Sequence, residues 1–536
     1  MLQTQDGFQD IAETRVSRRQ LLGRAATGGA ALGVTGLLAA CGAGASPTGT
    51  ASTAAEAAIP RKGGTLRIGI GGGGPADNAN PQNPLDGPDL LYIWALFDQL
   101  CLVDEEFVLR NRLAEEIASN HDATEWTVRI KSGVEFHNGK TLTADDVLFT
   151  YQSMFNPKRV AADSWIGSFI QSMHKLDART VRFTLNQPMG WFDIAIGDGG
   201  VNGIMPVGFD VKKPIGTGPF KLVSFTPGVE AVFEGFSNYW AGKPHLDRLV
   251  ISTINDDNAR LNALISNQLD ILTSISAAQM PAVRGNHNLR VYNSPGAQFT
   301  PITMRVDRPP FDDVRVRQAL RLAVDRHEVV ESAYGGYGRP ASDLYSLYDP
   351  DYDHSLHRSQ DLEQAKSLLR QANQTNLSVT LVTSNVLSGT IGMCEVVAQN
   401  ASLAGVRVNI RQVDAATLFG PSFLSWPLAI DIYQGLRYLT TSAICDGPNA
   451  TLNETHFKNP RYERLWKEAS ATASPSRRKE LLTEMQTILF NEGGYLIPAY
   501  PNALSAYSSR VAGFPARDLR GYGPIGPGLG RLYLTA

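Results

Sequence analysis

WTVRIKSGVEFHNGKTLTADDV, residues 126–147, carries a strand, a turn and a helix start in one run. Trp126, Val128 and Ile130 alternate with Thr127 and Arg129, the two-residue period of a half-buried strand. Gly133 and Gly139 punctuate the turn. Five residues lie between them where a phosphate loop needs four, so the following Lys140-Thr141 is not read as a nucleotide site. Thr143-Ala-Asp-Asp146 then opens a helix that runs to Met154, with Thr143 as N-cap and acids in the first turn. His137 is expected to pack inside the turn.

The same alternation continues outward. Strands are expected near 64–70, 180–185, 218–225, 269–273, 378–382 and 406–410. Helices are expected near 90–100, 257–266, 314–333, 362–372, 391–403, 462–473 and 475–491. Strands interleaved with helices make an α/β chain. After strand 64–70, the run from Gly69 to Gly74 satisfies GxGxxG. A dinucleotide site needs a helix next, and Pro75, Asp77, Asn78, Asn80, Pro81 and Pro84 follow instead. That loop offers backbone N–H groups and Asn side chains to a ligand.

The N-terminal stretch says where the chain goes. Arg18, Arg19 and Arg24 precede an uncharged, Ala- and Gly-rich run to Ala40, too short for an ordinary spanning helix. Ser17-Arg18-Arg19-Gln20-Leu21-Leu22 resembles a twin-arginine signal, with Leu21 in place of the usual Phe, so Sec export stays open. Leu38-Ala39-Ala40-Cys41 resembles a bacterial lipobox, in which Cys41 is acylated and becomes the new N-terminus. Residues 1–40 read as an export signal and 41–61 as a lipid-anchored flexible linker. The expected location is extracytoplasmic, tethered to the cell membrane through lipid on Cys41. No later segment is long and apolar enough to span a bilayer.

The remaining length suggests two or three domains, and 43% hydrophobic content suits a chain with a real core. A net charge of −3 with mixed signs argues against nucleic acid. Cys101, Cys394 and Cys445 are an odd number, so at least one is free; all three are read as buried apolar residues, and a disulfide between two of them stays open.

Four segments together resemble the dipeptide/oligopeptide-binding family of ABC-transporter substrate-binding proteins (solute-binding protein family 5). They are residues 126–147; Gly216-Thr-Gly-Pro-Phe220 with Asn238-Tyr-Trp-Ala-Gly-Lys-Pro244; 310–320 leading into Ala323-Val-Asp-Arg326; and Gln364-Ala-Lys-Ser-Leu-Leu369. The resemblance covers nearly all of 62–536. It implies a two-lobe periplasmic-binding-protein (Venus flytrap) fold, with lobe I at 62–300 plus 505–536 and lobe II at 301–504. A subdomain is inserted in lobe I at about 102–213. The chain crosses near 298–306 and returns near 496–507, and a solute is buried as the lobes close. The implied partners are a peptide-like or other small solute and an ABC permease with its ATPase. The protein is expected to be a monomer without cofactor or catalytic residues.

Asp145, Asp146, Asp312, Asp313 and Asp325 are read as caps and surface pairs, and Arg315 and Arg317 as holding a lobe-II helix. For the ligand, the resemblance points to Asn80 and Tyr92 on the lobe-I wall, and to Trp165 as a cleft aromatic. Asp431-Ile-Tyr-Gln-Gly435 matches the strand entering the lobe-II wall and leads to Gln434, Arg437 and Tyr438. Peptide binders place Trp after that Gly and an acid soon after, to pair the ligand's amino group. Here Leu436 and Arg437-Tyr-Leu-Thr440 follow. The ammonium anchor is missing, which favours a ligand with an anionic or neutral polar group over a free dipeptide; an Arg437 turned to solvent is the alternative.

Two other classes are weighed. His354 and His357 form HxxH, the only hint of a metal-complex receptor. Ser172-Met-His-Lys175 fits the SxxK of an exported hydrolase, without its SDN and KTG companions.

Overall fold

Leu66, Ile68 and Ile70 bury one side of strand Thr65–Ile70, the centre of a seven-stranded sheet. In this computed structural model the described residues are 60–154, 164–199 and 201–535. The export signal, Cys41 and nearly all of the linker lie outside them.

The sheet runs in the order Leu289–Ser294, Ala503–Ser508, Ile271–Leu272, Thr65–Ile70, Arg248–Thr253, Glu230–Gly235, Phe220–Thr226. Its central strand is parallel to both neighbours. Parallel neighbours need long crossovers. The crossover between Ile70 and Arg248 holds helix Gly87–Leu96 and a separate four-stranded antiparallel sheet. That sheet pairs Ala114–Ser119, Glu125–Ile130, Thr180–Leu185 and Ile170–Asp177.

The chain leaves the seven-stranded sheet at Ser294 and enters a five-stranded one at Ile302. This second sheet has the order Arg407–Gln412, Ser378–Thr383, Leu428–Ile430, Ile302–Met304, Tyr495–Leu496. From Leu496 the chain returns to Ala503 through Ala499–Pro501, which pairs with Gly338–Pro340. Two sheets joined by two crossings make the two-lobe α/β architecture. Helix Ala144–Met154 follows the opening motif's turn.

The local details differ from the sequence reading in three places. The helix expected over 314–333 is two helices, Val314–Ala323 and Arg326–Tyr334. Asp325 breaks it by capping the second, accepting from the N–H groups of His327 and Glu328. Thr143 does not cap with its side chain; its hydroxyl donates to Asp146, whose carboxylate also takes the Thr143 N–H at 3.0 Å. Asp146 is therefore no surface acid. It is fully buried, paired with Lys140, and accepts from the Val207 N–H at 2.8 Å. Asp145 is exposed and pairs with Lys175. Arg317 is buried and donates to the carbonyls of Phe311, Asp312 and Gly493, stapling its helix to the end of helix Pro475–Glu492.

His137 joins the opening motif to the second one. The Gly216 N–H donates to its Nδ1, leaving Nε2–H to donate to the Gly218 carbonyl at 3.0 Å. Burial holds its imidazole down at about 4, so it stays neutral. A Cβ on Gly216 would overlap the Leu96 carbonyl, so this close approach requires glycine. Cys101, Cys394 and Cys445 are buried and free.

Candidate functional site

Between the two sheets and the two crossings lies a cavity of about 250 Å³. Its lobe-I wall is the face of helix Gly87–Leu96 that carries Leu90, Leu91 and Trp94. Its lobe-II wall is Tyr334 and Tyr337, at and after the end of helix Arg326–Tyr334, with Leu387 and Ser388. Gln298, Gln434 and Asn502 come from the crossings and the adjoining strand, and Arg520 and Tyr522 from the C-terminal loop. Trp94 and Tyr522 meet edge to face at 4.8 Å.

Arg520 is the one charged residue among the described residues that line this cavity. It is 1% exposed, and it is already paired with Asp198 and bonded to the Tyr522 hydroxyl at 3.0 Å. Its charge is held by that partner and by the rings of Phe107 and Tyr522. What remains toward the cavity is uncharged: aromatic faces, aliphatic side chains, and the amides and hydroxyls of Gln298, Gln434, Asn502 and Ser388. Such a lining can stack on a solute and hydrogen-bond it, but offers no spare charge for an ammonium or a carboxylate.

The sequence matches the family described as bacterial extracellular solute-binding proteins, family 5, over residues 108–433, more than half the chain. It is similar to Di/tripeptide-binding protein 2 of Pseudomonas aeruginosa, at 26% identity over 75% of this chain and 83% of that protein. It is similar also to Heme-binding protein A of Haemophilus influenzae, at 25% identity over 75% and 81%. Among solved structures, the DppA periplasmic binding protein of Helicobacter pylori with the peptide STSA superposes with a TM-score of 0.78 at 21% identity, covering 89% of this chain and 99% of that one. The chain belongs to family 5 of the solute-binding proteins. It is an extracytoplasmic receptor of the ABC-transporter class, taking a solute between two lobes for delivery to a permease.

Within this family 5 receptor the residues expected at the ligand separate. Gln434 lines the cavity, where its Oε1 accepts from Tyr522 at 3.4 Å. The other five do not. Tyr92 is fully buried on the opposite side of helix Gly87–Leu96, packed on Phe225 and Phe233. Asn80 closes a turn, accepting from the Gln82 N–H. Trp165 stacks on Trp191 and lines a different pocket of about 20 Å³ with Trp466. Tyr438 is fully buried and stacked on Tyr345 at 5.0 Å.

Arg437 does not line this cavity, and its side chain is mostly buried in contacts within the protein. Its Nε donates to Asp349 at 3.0 Å and its Nη1 to the Phe107 carbonyl at 2.9 Å, while its own N–H donates to Asp198 at 2.7 Å. It ties lobe II to the inserted sheet's side of the molecule. The glycine-rich loop likewise spends its donors internally, Gly72 on Asn255 and Gly74 on Asp77.

Of the cavity residues that sequence reasoning missed, two aromatics sit beside glycines: Tyr337 in Gly335-Gly-Tyr-Gly338, and Tyr522 in Arg520-Gly-Tyr-Gly523. Aromatic rings set among glycines on loops were the available signal.

Of the competing motifs, Ser172 and Lys175 lie three residues apart on strand Ile170–Asp177, in regular register with Thr184 and Val181. They point to opposite faces and cannot form a dyad. His354 and His357 are exposed, His354 against Tyr352.

Proposed function

We propose that this receptor captures an uncharged solute of amphipathic character, such as a blocked, cyclic or otherwise uncharged peptide-like molecule, and binds it without turnover. The observation that carries this is the charge state of the cavity: its single cation, Arg520, is matched by Asp198. A free-ended dipeptide buried there would bring two charges to a wall with no free partner for either. The relatives named for peptides and heme set the range of solutes the fold accommodates; the lining selects within it. A metal complex finds little support, because no His, Cys, Met, Asp or Glu is among the described residues lining the cavity.

The receptor is proposed to work as a monomer, anchored through lipid on Cys41 and reaching its permease on the 41–61 leash. Among the described residues no helix is long and apolar enough to cross a membrane. Mass spectrometry of the small molecule released when the purified receptor is denatured tests the solute reading: a neutral compound is expected, and a free-ended dipeptide contradicts it. Labelled fatty acid should enter the native chain and not Cys41→Ser; incorporation into both places the anchor elsewhere.

A further inference from the structure

Gln298 and Gln434 enter the solute cavity from the two strands of one ribbon, and the ribbon fixes how they stand to each other. Phe299 and Tyr433 pair antiparallel and exchange both backbone hydrogen bonds at 3.0 Å, in the register that opposes Ile302 to Ile430 further along. The same register puts Ala297 opposite Gly435, where a Cβ on the glycine would overlap that of Ala297. Gln298 therefore stands directly opposite Gln434, between two paired positions. The Phe299 and Tyr433 rings stack at 5.4 Å and are buried in the core. Successive side chains of a strand take opposite faces, so both glutamines take the other face, that of the cavity. A pair next to one that exchanges its hydrogen bonds is the closer kind, with Cα atoms about 4.5 Å apart. Two amides thus reach the cavity side by side.

Their hydrogen bonds are unequal. Arg520 donates to the Tyr522 oxygen at 3.0 Å, and the Tyr522 hydroxyl donates to Oε1 of Gln434 at 3.4 Å. That occupies the Gln434 acceptor and leaves its NH2 group as a donor toward the cavity. The Gln298 side chain bonds no described residue, so its Oε1 is free to accept. A donor and an acceptor stand together in a cavity whose other walls carry the rings of Trp94, Tyr334, Tyr337 and Tyr522.

We propose that Gln298 and Gln434 together read the edge of a flat cyclic amide, a ring carrying N–H and C=O side by side. Gln434 donates to the carbonyl and Gln298 accepts from the N–H. Cyclic dipeptides and uracil-like bases share this edge. An open-chain peptide bond is trans and points its N–H and C=O to opposite sides, so a single bond cannot meet both amides. A flat ring also lays its faces on aromatic side chains while its edge meets the pair. The proposal rests on the uncharged-solute reading and narrows it.

The test is calorimetry on the receptor stripped of co-purified solute. The probes are cyclo(Gly-Phe), uracil, their N,N′-dimethyl forms, N-acetyl-Gly-Phe amide and free Gly-Phe. One ring is expected to bind at least about tenfold more tightly than its methylated form and than the blocked linear peptide, since either leaves an amide of the pair unmet; which ring it is tells the source. Gln298→Met and Gln434→Met keep the side-chain length and should each weaken that ring at least about tenfold. Gln298→Met should also erase the preference over the methylated ring, because the acceptor of the N–H is gone. If a variant does not fold, the discrimination against N-methylation by the native receptor stands as the test. No binding of either ring at millimolar concentration, equal binding of the methylated forms, or an unchanged preference in folded Gln298→Met overturns the proposal. N-acetyl-Gly-Phe amide binding as tightly as the ring overturns it too, but leaves the uncharged-solute reading in place; tighter binding of free Gly-Phe overturns both.

Discussion

Arg437 shows how much one side chain's partners decide. Of its three donated bonds in this structure, two go to groups outside lobe II and tie the two lobes together. Arg437→Ala is therefore expected to weaken every solute by the same factor, about tenfold for loss of a buried charged bond and consistent with ~1.4 kcal/mol or more. Calorimetry with a neutral solute and its charged analogue checks this; a loss confined to the anionic member would return Arg437 to the solute. Asp446 offers a second test at this scale. It is buried and accepts from Tyr345, Tyr462 at 2.6 Å and Ser442 at 2.8 Å. Burial outweighs those donors and raises its carboxyl to about 6. A raised carboxyl favours the folded state when protonated. Its contribution is complete below about 4 and is lost as pH rises through about 6, by on the order of 1–3 kcal/mol. Asp446→Asn should flatten that part of the stability profile in denaturant titrations between pH 4 and 8; an unchanged slope would show that Asp446 is ionised throughout.

At the scale of elements, the opening motif and the Gly216–Phe220 motif were separate strings in the sequence and are one joint in the molecule. His137 spans them, and Gly216 lies against Leu96 at the end of the helix that walls the cavity. Gly216→Ala should destabilise the receptor by about 1–3 kcal/mol through this overlap, read as a lower unfolding midpoint; no change would mean that the Leu96 turn yields freely. Alternation and periodicity made these elements legible: strand 64–70, helix 391–403 and helix 475–491 stand within a residue or so of their expected bounds. Asp325 was legible as a cap, but not that its cap divides the helix expected over 314–333; nor was it legible which side of a helix faces a cavity. Tyr92 and Trp94 are two residues apart on the same helix, so one enters the core and the other the cavity. Local sequence cannot rank two aromatic faces of a helix buried nearly all round.

Across the whole molecule, the family came through in four dispersed segments, because each is fixed by its own turn, cap or buried Arg. The solute did not, because its cavity gathers side chains from both lobes, both crossings and the C-terminal loop, whose meeting only the fold defines. The lobes meet through buried polar contacts as well as rings: Trp191 donates to Ser470 at 2.9 Å, and Asp198, paired with Arg520 inside lobe I, accepts the Arg437 N–H from lobe II at 2.7 Å. Asp198→Ala removes the acceptor that the Arg437 N–H uses across the lobes, besides leaving Arg520 unpaired inside lobe I at a cost of several kcal/mol in overall stability. It should shift the receptor toward an open form, seen as a larger radius in solution scattering, whereas a native radius would show that closure rests on the apolar contacts alone.

The central claim is that the closed cleft has no free charge for its solute. Calorimetry of the native receptor with a matched pair decides it most directly: the solute identified from the purified protein, and an analogue differing only by one ionised group. The neutral member should bind at least about tenfold more tightly, since the added charge is buried without a partner. Equal or tighter binding of the charged member, with that preference lost in Arg437→Ala, would contradict the account and place a free cation at the solute.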